Sequence, residues 1–328
     1  LSFAWTIPDA IGAALRVRVS DAADATVVDT SNAAFTIKGS LILTSPNGAE
    51  LWRVGEARNV TWTKTGTIAT VKLEYSTNGG TTYPTVISAS TDATTGTYAW
   101  TVPDAIGTQL RVRVTHTGDA TVADASNANF EVKGSVTLTA PNGPEVWVVN
   151  SSQNLTWTRT GSFANVKLEY STNAFANELQ TTVIVASTAA DPLPTDNAGT
   201  YAWTVPDAIG TSLRVRITDT ADAATVDTSD ANFKIVGSLT LTAPDGDPDG
   251  AGPLTEERWT VGTSQNVTWT KVGSIANVKL DYSTDGGTSY PNVIVASTPA
   301  GTGAYAWTIP DAIGTNRRVR VSDASDAT

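Results

Sequence analysis

The chain contains no cysteine and no methionine, and it has one histidine in 328 residues. Without cysteine neither a disulfide framework nor a thiolate zinc site is available, so stability must come from packing, hydrogen bonds or bound ions. Leu1 is not a translation start, no charged and apolar leader precedes it, and no apolar run reaches membrane-spanning length. The expectation is a processed product or a window on a longer chain. Charge is scarce as well: 16% of residues are charged, and 32 acidic against 21 basic residues give a net charge of −11. Such a surface repels phosphate backbones, which argues against nucleic-acid binding. Thr, Ala, Val, Ser and Gly fill the space instead, a composition found in surface and wall proteins.

What the chain does have is repetition. The phrase Y-A-W-T-V-P-D-A-I-G recurs at Phe3–Gly12, Tyr98–Gly107, Tyr201–Gly210 and Tyr305–Gly314. A second phrase, G-S-[LV]-x-L-T-[SA]-P-[ND]-G, opens at Gly39, Gly134 and Gly237. Trp5, Trp100, Trp203 and Trp307 are spaced by 95, 103 and 104 residues. A period near 100 residues is domain-sized, whereas solenoid and propeller units of roughly 20–50 residues cannot fold alone. Each repeat can therefore own a core. The divisions are 1–38, the C-terminal part of a repeat; 39–133 and 134–236, complete repeats; and 237–328, a repeat lacking its last strand.

Within a repeat the apolar residues alternate with period two, the signature of strands. In 39–133, Val60 and Trp62 share one face, Val71, Leu73 and Tyr75 alternate with Lys72 and Glu74, and Leu110, Val112 and Val114 alternate with Arg111 and Arg113. Asn78-Gly79-Gly80 carries a hairpin-turn signal. Tyr98, Trp100 and Val102 alternate up to Pro103, which cannot donate to a ladder. No stretch sustains a 3.6-residue period. About seven short strands per repeat predict an all-β fold of tandem immunoglobulin-like or fibronectin-III-like β-sandwich domains. Trp52, Trp62 and Trp100 are expected in the core, each removing ~150–250 Å² from water. The rival for Trp52 is an exposed aromatic platform for sugars. Between repeats, Phe35–Leu41, Asn129–Val136 and Asn232–Leu239 leave about two residues between strands, with no Gly/Ser-rich or Pro-rich spacer. Such joints predict a stiff, rod-like array.

The ordered set P-N-G-x-E-x-W-x-V-G, N-V-T-W-T, V-K-L-E-Y-S-T-[ND]-G-G, Y-A-W-T-V-P, R-V-R-V-[ST]-D and S-[ND]-A-N-F-x-[IV] resembles the immunoglobulin-like domain of the Ser-Thr-rich, lipid-anchored fungal cell-wall family and its wall-synthesis relatives. It is also similar to tandem repeats of large prokaryotic surface proteins. The resemblance covers essentially the whole chain and implies an extracellular, non-enzymatic module without catalytic residues. The Ser/Thr-rich stalk and anchor signal of the fungal proteins are absent from this sequence.

Chemistry-bearing constellations are few. His116 falls where other copies place Asp21, Asp219 and Asp323, so it reads as a solvated strand-end residue and not a catalytic base. The sharpest local motif is Asp245-x-Asp247-x-Asp249-Gly250-x5-Glu256, which matches the twelve-residue calcium loop with ligands at Asp245, Asp247, Asp249, the Ala251 carbonyl and Glu256. Pro248 and Pro253 stand against the usual wrap, and a plain acidic surface loop is the alternative. A second acidic set comprises Asp21, Asp24, Asp29, Asp219, Asp222, Asp227, Asp230, Asp323 and Asp326. Asx residues are favoured in turns for backbone hydrogen bonding alone. Arg111 and Arg113 face outward, toward carboxylates such as Glu74 or toward another protomer. The sequons at Asn59, Asn154 and Asn266 lie on an outward strand face. The expected function is a non-enzymatic, extracellular structural protein that forms a rod or filament at the cell surface by self-association with neighbouring copies. The alternative is an adhesin stalk or carbohydrate-binding array with a surface glycan as partner. Calcium is the one candidate cofactor.

Overall fold

The computed structural model describes residues 2–192, 196–246 and 257–326. It divides into two compact units, Leu1–Ser135 with Arg159–Ala164, and Val136–Thr158 with Asn165–Thr328.

In the first unit, residues 39–133 form one sandwich. Alternation at Leu41 and Leu43, and again at Val60 and Trp62, turns one side of two strands inward. Those strands, Ser40–Ser45 and Ala57–Thr65, pair antiparallel, and Thr97–Thr101 closes the sheet on the far edge of Ala57–Thr65. The opposing sheet runs Leu51–Arg53, Phe130–Lys133, Gly107–His116, Thr70–Ser76, Thr85–Asp92, with Ala123–Ala125 also on Gly107–His116. Its one parallel pairing sets Trp52 opposite Val132. One continuous core joins both sheets, from Leu43, Val60 and Trp62 to Leu73, Val112 and Phe130. This is the expected all-β immunoglobulin-like sandwich. Ahead of it, Gly12–Leu15 pairs with Phe35–Ile37 and Arg18–Ser20 with Val28–Thr30.

The plan recurs in 134–236, most of which belongs to the second unit, with Val146–Val148 again parallel to Phe233–Val236. In the 237–326 repeat the two sheets have three strands each among the described residues. Arg258–Thr260, which corresponds to Leu51–Arg53, is outside strand structure, and the arginine strand begins only at Arg318. In the 39–133 repeat the matching residues, Leu51–Arg53 and Gly107–Leu110, pair with Phe130–Lys133, whereas Arg318–Asp323 pairs with Asn277–Ser283 alone among the described residues. Strand formation there depends on a tertiary partner and not on local pattern.

Trp52, Trp62 and Trp100 are 5%, 3% and 8% exposed, so Trp52 belongs to the core and not to a platform. Trp52 packs on Trp100 at 5.8 Å and on Phe130 at 5.1 Å, and Trp147 repeats this with Trp203 and Phe233 at 5.9 and 5.1 Å. The indole N–H of Trp62 donates to the Ala93 carbonyl at 3.2 Å, as Trp157 does to Ala190 and Trp269 to Ala300. Each buried ring thus keeps its polar end paired.

Thr70–Ser76 and Thr85–Asp92 pair antiparallel as the hairpin that Asn78-Gly79-Gly80 signals, through a longer turn. Asn78-Gly79-Gly80 starts a wide loop that ends at Thr85, instead of a two-residue turn. The Ser76 hydroxyl accepts from the N–H groups of Asn78 and Gly80, at 3.1 and 2.9 Å, and winds the chain around itself. Tyr83 then returns over Arg113, 4.3 Å from guanidinium carbon to ring centre.

Candidate functional site

The geometry that recurs most faithfully lies where one repeat leads into the next. The last strand of one repeat passes through one or two residues ending in glycine into the first strand of the following one: Phe35–Ile37 through Lys38-Gly39 into Ser40–Ser45, Phe130–Lys133 through Gly134 into Ser135–Ala140, Phe233–Val236 through Gly237 into Ser238–Ala243. Gly39 is there because a Cβ would stand 2.6 Å from the Thr65 carbonyl oxygen and 2.9 Å from Ile68 Cδ1. Gly134 and Gly237 are pressed in the same way against Phe163 and Ile275.

Opposite this strand junction, the P-D-A-I-G loop of the preceding repeat holds a Gly-[Ser/Thr] loop. Asp9 accepts the Thr67 N–H at 2.9 Å on Oδ1 and the Thr67 hydroxyl at 2.5 Å on Oδ2. Asp104 takes the N–H of Ser162 at 3.1 Å together with its hydroxyl. Asp207 takes the N–H of Ser274 at 2.9 Å and likewise its hydroxyl. Beside each carboxylate an isoleucine rests over the neighbouring glycine: Ile11 on Gly66, Ile106 on Gly161, Ile209 on Gly273. Those glycines have φ of 84°, 96° and 91°, the left-handed region, and a Cβ would stand about 3 Å from the isoleucine methyl. Donation by the Thr67 hydroxyl, then by its N–H, holds the Asp9 carboxyl below the usual carboxylate range, and the Ser274 hydroxyl and N–H do the same for Asp207. Further contacts reinforce the junctions. Lys38 pairs with Asp119 at 3.1 Å, Arg53 donates to the Gly134 carbonyl at 2.8 Å, and Lys234 pairs with Asp326. Hydrogen bonds from the Thr121 hydroxyl and N–H, with Lys38 behind them, bring Asp119 to about 2.

The residues singled out from sequence are placed as follows. Asp247, Asp249, Ala251 and Glu256 lie outside the described residues. Asp245 is described, and its N–H donates to Glu257 at 3.0 Å. The acidic set caps turns. Asp21, Asp24, Asp219, Asp222 and Asp323 each accept a backbone N–H two residues ahead. Asp227 takes the Leu138 N–H, and Asp230 bonds Asn142. Among the described residues no three or more His, Cys, Asp or Glu side chains gather as a metal-holding group. His116 ends the Gly107–His116 strand opposite Val71. Asn59, Asn154 and Asn266 are exposed.

The paired arginines act inside their own repeat. Arg113 bonds the buried Glu74 at 2.8 Å, with Lys72 on the other oxygen at 2.6 Å, and Arg111 bonds Asn129 at 2.7 Å. Burial pushes the Glu74 carboxyl up, but the hydrogen bonds and charges of Lys72 and Arg113 outweigh it and leave the group below its ordinary value. Glu169 with Arg216 and Lys167, and Asp281 with Arg320 and Lys279, repeat the arrangement.

Asp9, Asp104 and Asp207 were not singled out from the sequence, because an Asp after Pro reads as a turn former. The available signal was the joint recurrence of P-D-A-I-G with a downstream Gly-Thr or Gly-Ser at Gly66, Gly161 and Gly273.

No family model matches the chain, and no curated protein matches it. Among solved structures it is similar to the fibronectin(III)-like modules of Clostridium thermocellum CbhA, at 21% identity and TM-score 0.21 over 60% of this chain and 93% of that one. A chimeric titin Z1Z2-Z1Z2 tandem matches at 15% identity and TM-score 0.22, over 60% of this chain and 99% of that one. The N-terminal four Ig domains of Dscam1 isoform 6.9 match at 10% identity and TM-score 0.26, over 90% of this chain and 76% of that one. Likeness at this level carries no argument about function. The assignment of tandem all-β domains stands on the strand pairing and cores described above.

Proposed function

We propose that the chain is a non-enzymatic structural protein of the cell surface, a stiff rod of β-sandwich repeats whose neighbours are further copies of the same unit. The observation that carries this is the junction: a passage of one or two residues between strands, and beside it a carboxylate-and-isoleucine clamp that occurs three times on a Gly-[Ser/Thr] loop. A flexible string of domains would need a spacer that this sequence lacks. The extracellular setting follows from the resemblance to wall and surface modules and from the Thr/Ala/Ser-rich, acidic composition. Stiffness is tested by small-angle X-ray scattering of the 328-residue chain against the triple variant D9A/D104A/D207A. The variant is expected to show a broader distribution of maximum dimensions at unchanged circular dichroism. Superimposable scattering curves would overturn the reading.

Calcium at Asp245–Glu256 belongs to the same proposal as an optional stabiliser of the last repeat, on the strength of its ligand spacing. Chelator is expected to lower the melting temperature of the wild type and to leave Asp247→Ala unchanged; equal responses would remove calcium from the account.

A further inference from the structure

The P-D-A-I-G loop occurs four times, and three copies hold a Gly-[Ser/Thr] loop. The fourth, at Pro310–Gly314, makes the same turn at its start. Its Ala312 N–H bonds the Pro310 carbonyl at 2.8 Å, as Ala10, Ala105 and Ala208 bond Pro8, Pro103 and Pro206 at 2.8–2.9 Å. Arg317 adds a brace, donating to the Ala312 and Ile313 carbonyls at 2.7 and 2.8 Å. The Pro310–Ala312 turn thus matches its counterparts, whereas Gly314 lies outside strand structure and Gly12, Gly107 and Gly210 each begin a strand.

Among the described residues the surface around this loop is more open than at its counterparts. Ile313 is 82% exposed, against 36%, 42% and 37% for Ile11, Ile106 and Ile209. Val149 is 3% exposed and lies against Gly273, and Val54 lies against Gly161. Their counterpart Val261 is 43% exposed. Gly55 faces the Thr160 methyl at 3.7 Å, while Gly262 has nothing within 4 Å among the described residues. Asp311, with no hydrogen-bond partner among those residues, stands exposed beside Ile313.

We infer that Asp311, Ile313, Val261 and Gly262 form a docking surface for the Gly-[Ser/Thr] loop of another β-sandwich repeat of this same kind. The chemistry of the three filled copies defines what fits. The occupant must present a backbone N–H and a hydroxyl on one residue, to satisfy both carboxylate oxygens. A glycine must precede that residue, because the isoleucine methyl takes the place of a Cβ and the backbone there has positive φ. Gly66-Thr67, Gly161-Ser162 and Gly273-Ser274 meet these conditions, but each is already held. The surface is thus selective for a repeat whose loop is free. The inference builds on the tandem reading of function, although it requires only recognition and not stiffness.

The chain has no cysteine, so disulfide trapping can read the contact directly. Thr328 stands at the repeat position of Thr26, so appending a copy of residues 27–133 after Thr328 continues the repeat in phase. In that extended protein, Asp311→Cys is combined with Cys in place of the copied Thr67. The pair Asp207→Cys with Ser274→Cys serves as the positive control. The expected result is oxidation of both pairs under the same mild conditions. Trapping of the control alone would overturn the assignment. Hydrogen exchange gives a second reading without any cysteine. Asp311→Ala in the extended chain is expected to speed exchange of the copied Thr67 amide several-fold while leaving the Thr67 amide itself unchanged. Equal exchange with and without Asp311 would overturn the inference. Both readings are independent of the scattering test, which addresses the three internal junctions of the 328-residue chain.

Discussion

At each junction a single aspartate accepts both an N–H and a hydroxyl, and its titration gives a handle on the joint. Asp9 and Asp207 have carboxyl pKa values below the ordinary 3.8 because the hydroxyl and N–H of Thr67 or Ser274 favour the ionised form. A depressed value in the docked state means that the clamp's contribution is fully present above pH 3.8 and is lost as pH falls through the lower, docked value. The Thr67 and Ser274 amide resonances, followed by NMR during acidification, should therefore shift with midpoints below 3.8. A midpoint at or above that value would mean that the carboxylates do not hold these loops in solution. The same residues mark the limit of what the sequence disclosed. Trp62 and Trp100 were legible as core residues because alternation ties them to Val60 and Val102, and burial follows from alternation alone. Asp104 was not legible, since its partner Ser162 lies 58 positions away and no local periodicity links a turn carboxylate to a distant loop. Residues of the acidic set looked like ligands only because Asx capping and metal binding draw on the same side chains.

At the level of strands, the sandwich must deal with its edges. The Thr85–Asp92 strand is long, nearly uncharged and lies at the sheet margin, which makes it a template for pairing with another chain. Its register against Thr70–Ser76 slips twice, between Val71 and Leu73 and between Leu73 and Glu74. Such bulges twist an edge and interrupt its row of free N–H and C=O groups. The Ser40–Ser45 edge is blunted differently: the Asp124 carboxylate accepts the Leu43 N–H at 2.8 Å, and Asp227 does the same for Leu138 at 2.7 Å. Leu43 is fully buried, so removing this acceptor leaves its N–H without its protein partner. Asp124→Ala should destabilise the 39–133 repeat by about 1–3 kcal/mol, and Asp124→Asn, which keeps an oxygen in place, by less. Denaturant midpoints of the two variants decide the matter; equal midpoints would mean that the hydrogen bond contributes nothing beyond side-chain bulk. Edges managed in this way oppose lateral pairing, and the junctions remain the natural place for contact between repeats.

Over the whole molecule, near-identical sequence segments sit in unlike surroundings, which separates local propensity from tertiary support. Asn59–Thr63, Asn154–Thr158 and Asn266–Thr270 differ only at the second residue, and all three form the central strand of their sheet. The repeats at 39–133 and 134–236 have complete opposing sheets, and Trp52 and Trp147 are buried there. In 237–326 the corresponding Trp259 is half-buried, as are Trp307, Leu239 and Leu241. Less apolar surface is removed from water in that repeat, so its local opening free energy should be smaller. A chain of several cores need not unfold in one step, and a single melting temperature would average over them. Hydrogen exchange read by mass spectrometry on the 328-residue chain should therefore find Ala57–Thr65 and Ser152–Thr160 protected longest, with Ser264–Val272 exchanging sooner despite its matching sequence. Because intrinsic exchange rates of such similar strands are nearly the same, the difference reports how completely each core is closed in the 328-residue chain. Equal protection in the three strands would mean that a three-stranded opposing sheet closes the core as well as the complete one does, and that the parallel strand at Phe130–Lys133 matters for the junction more than for stability.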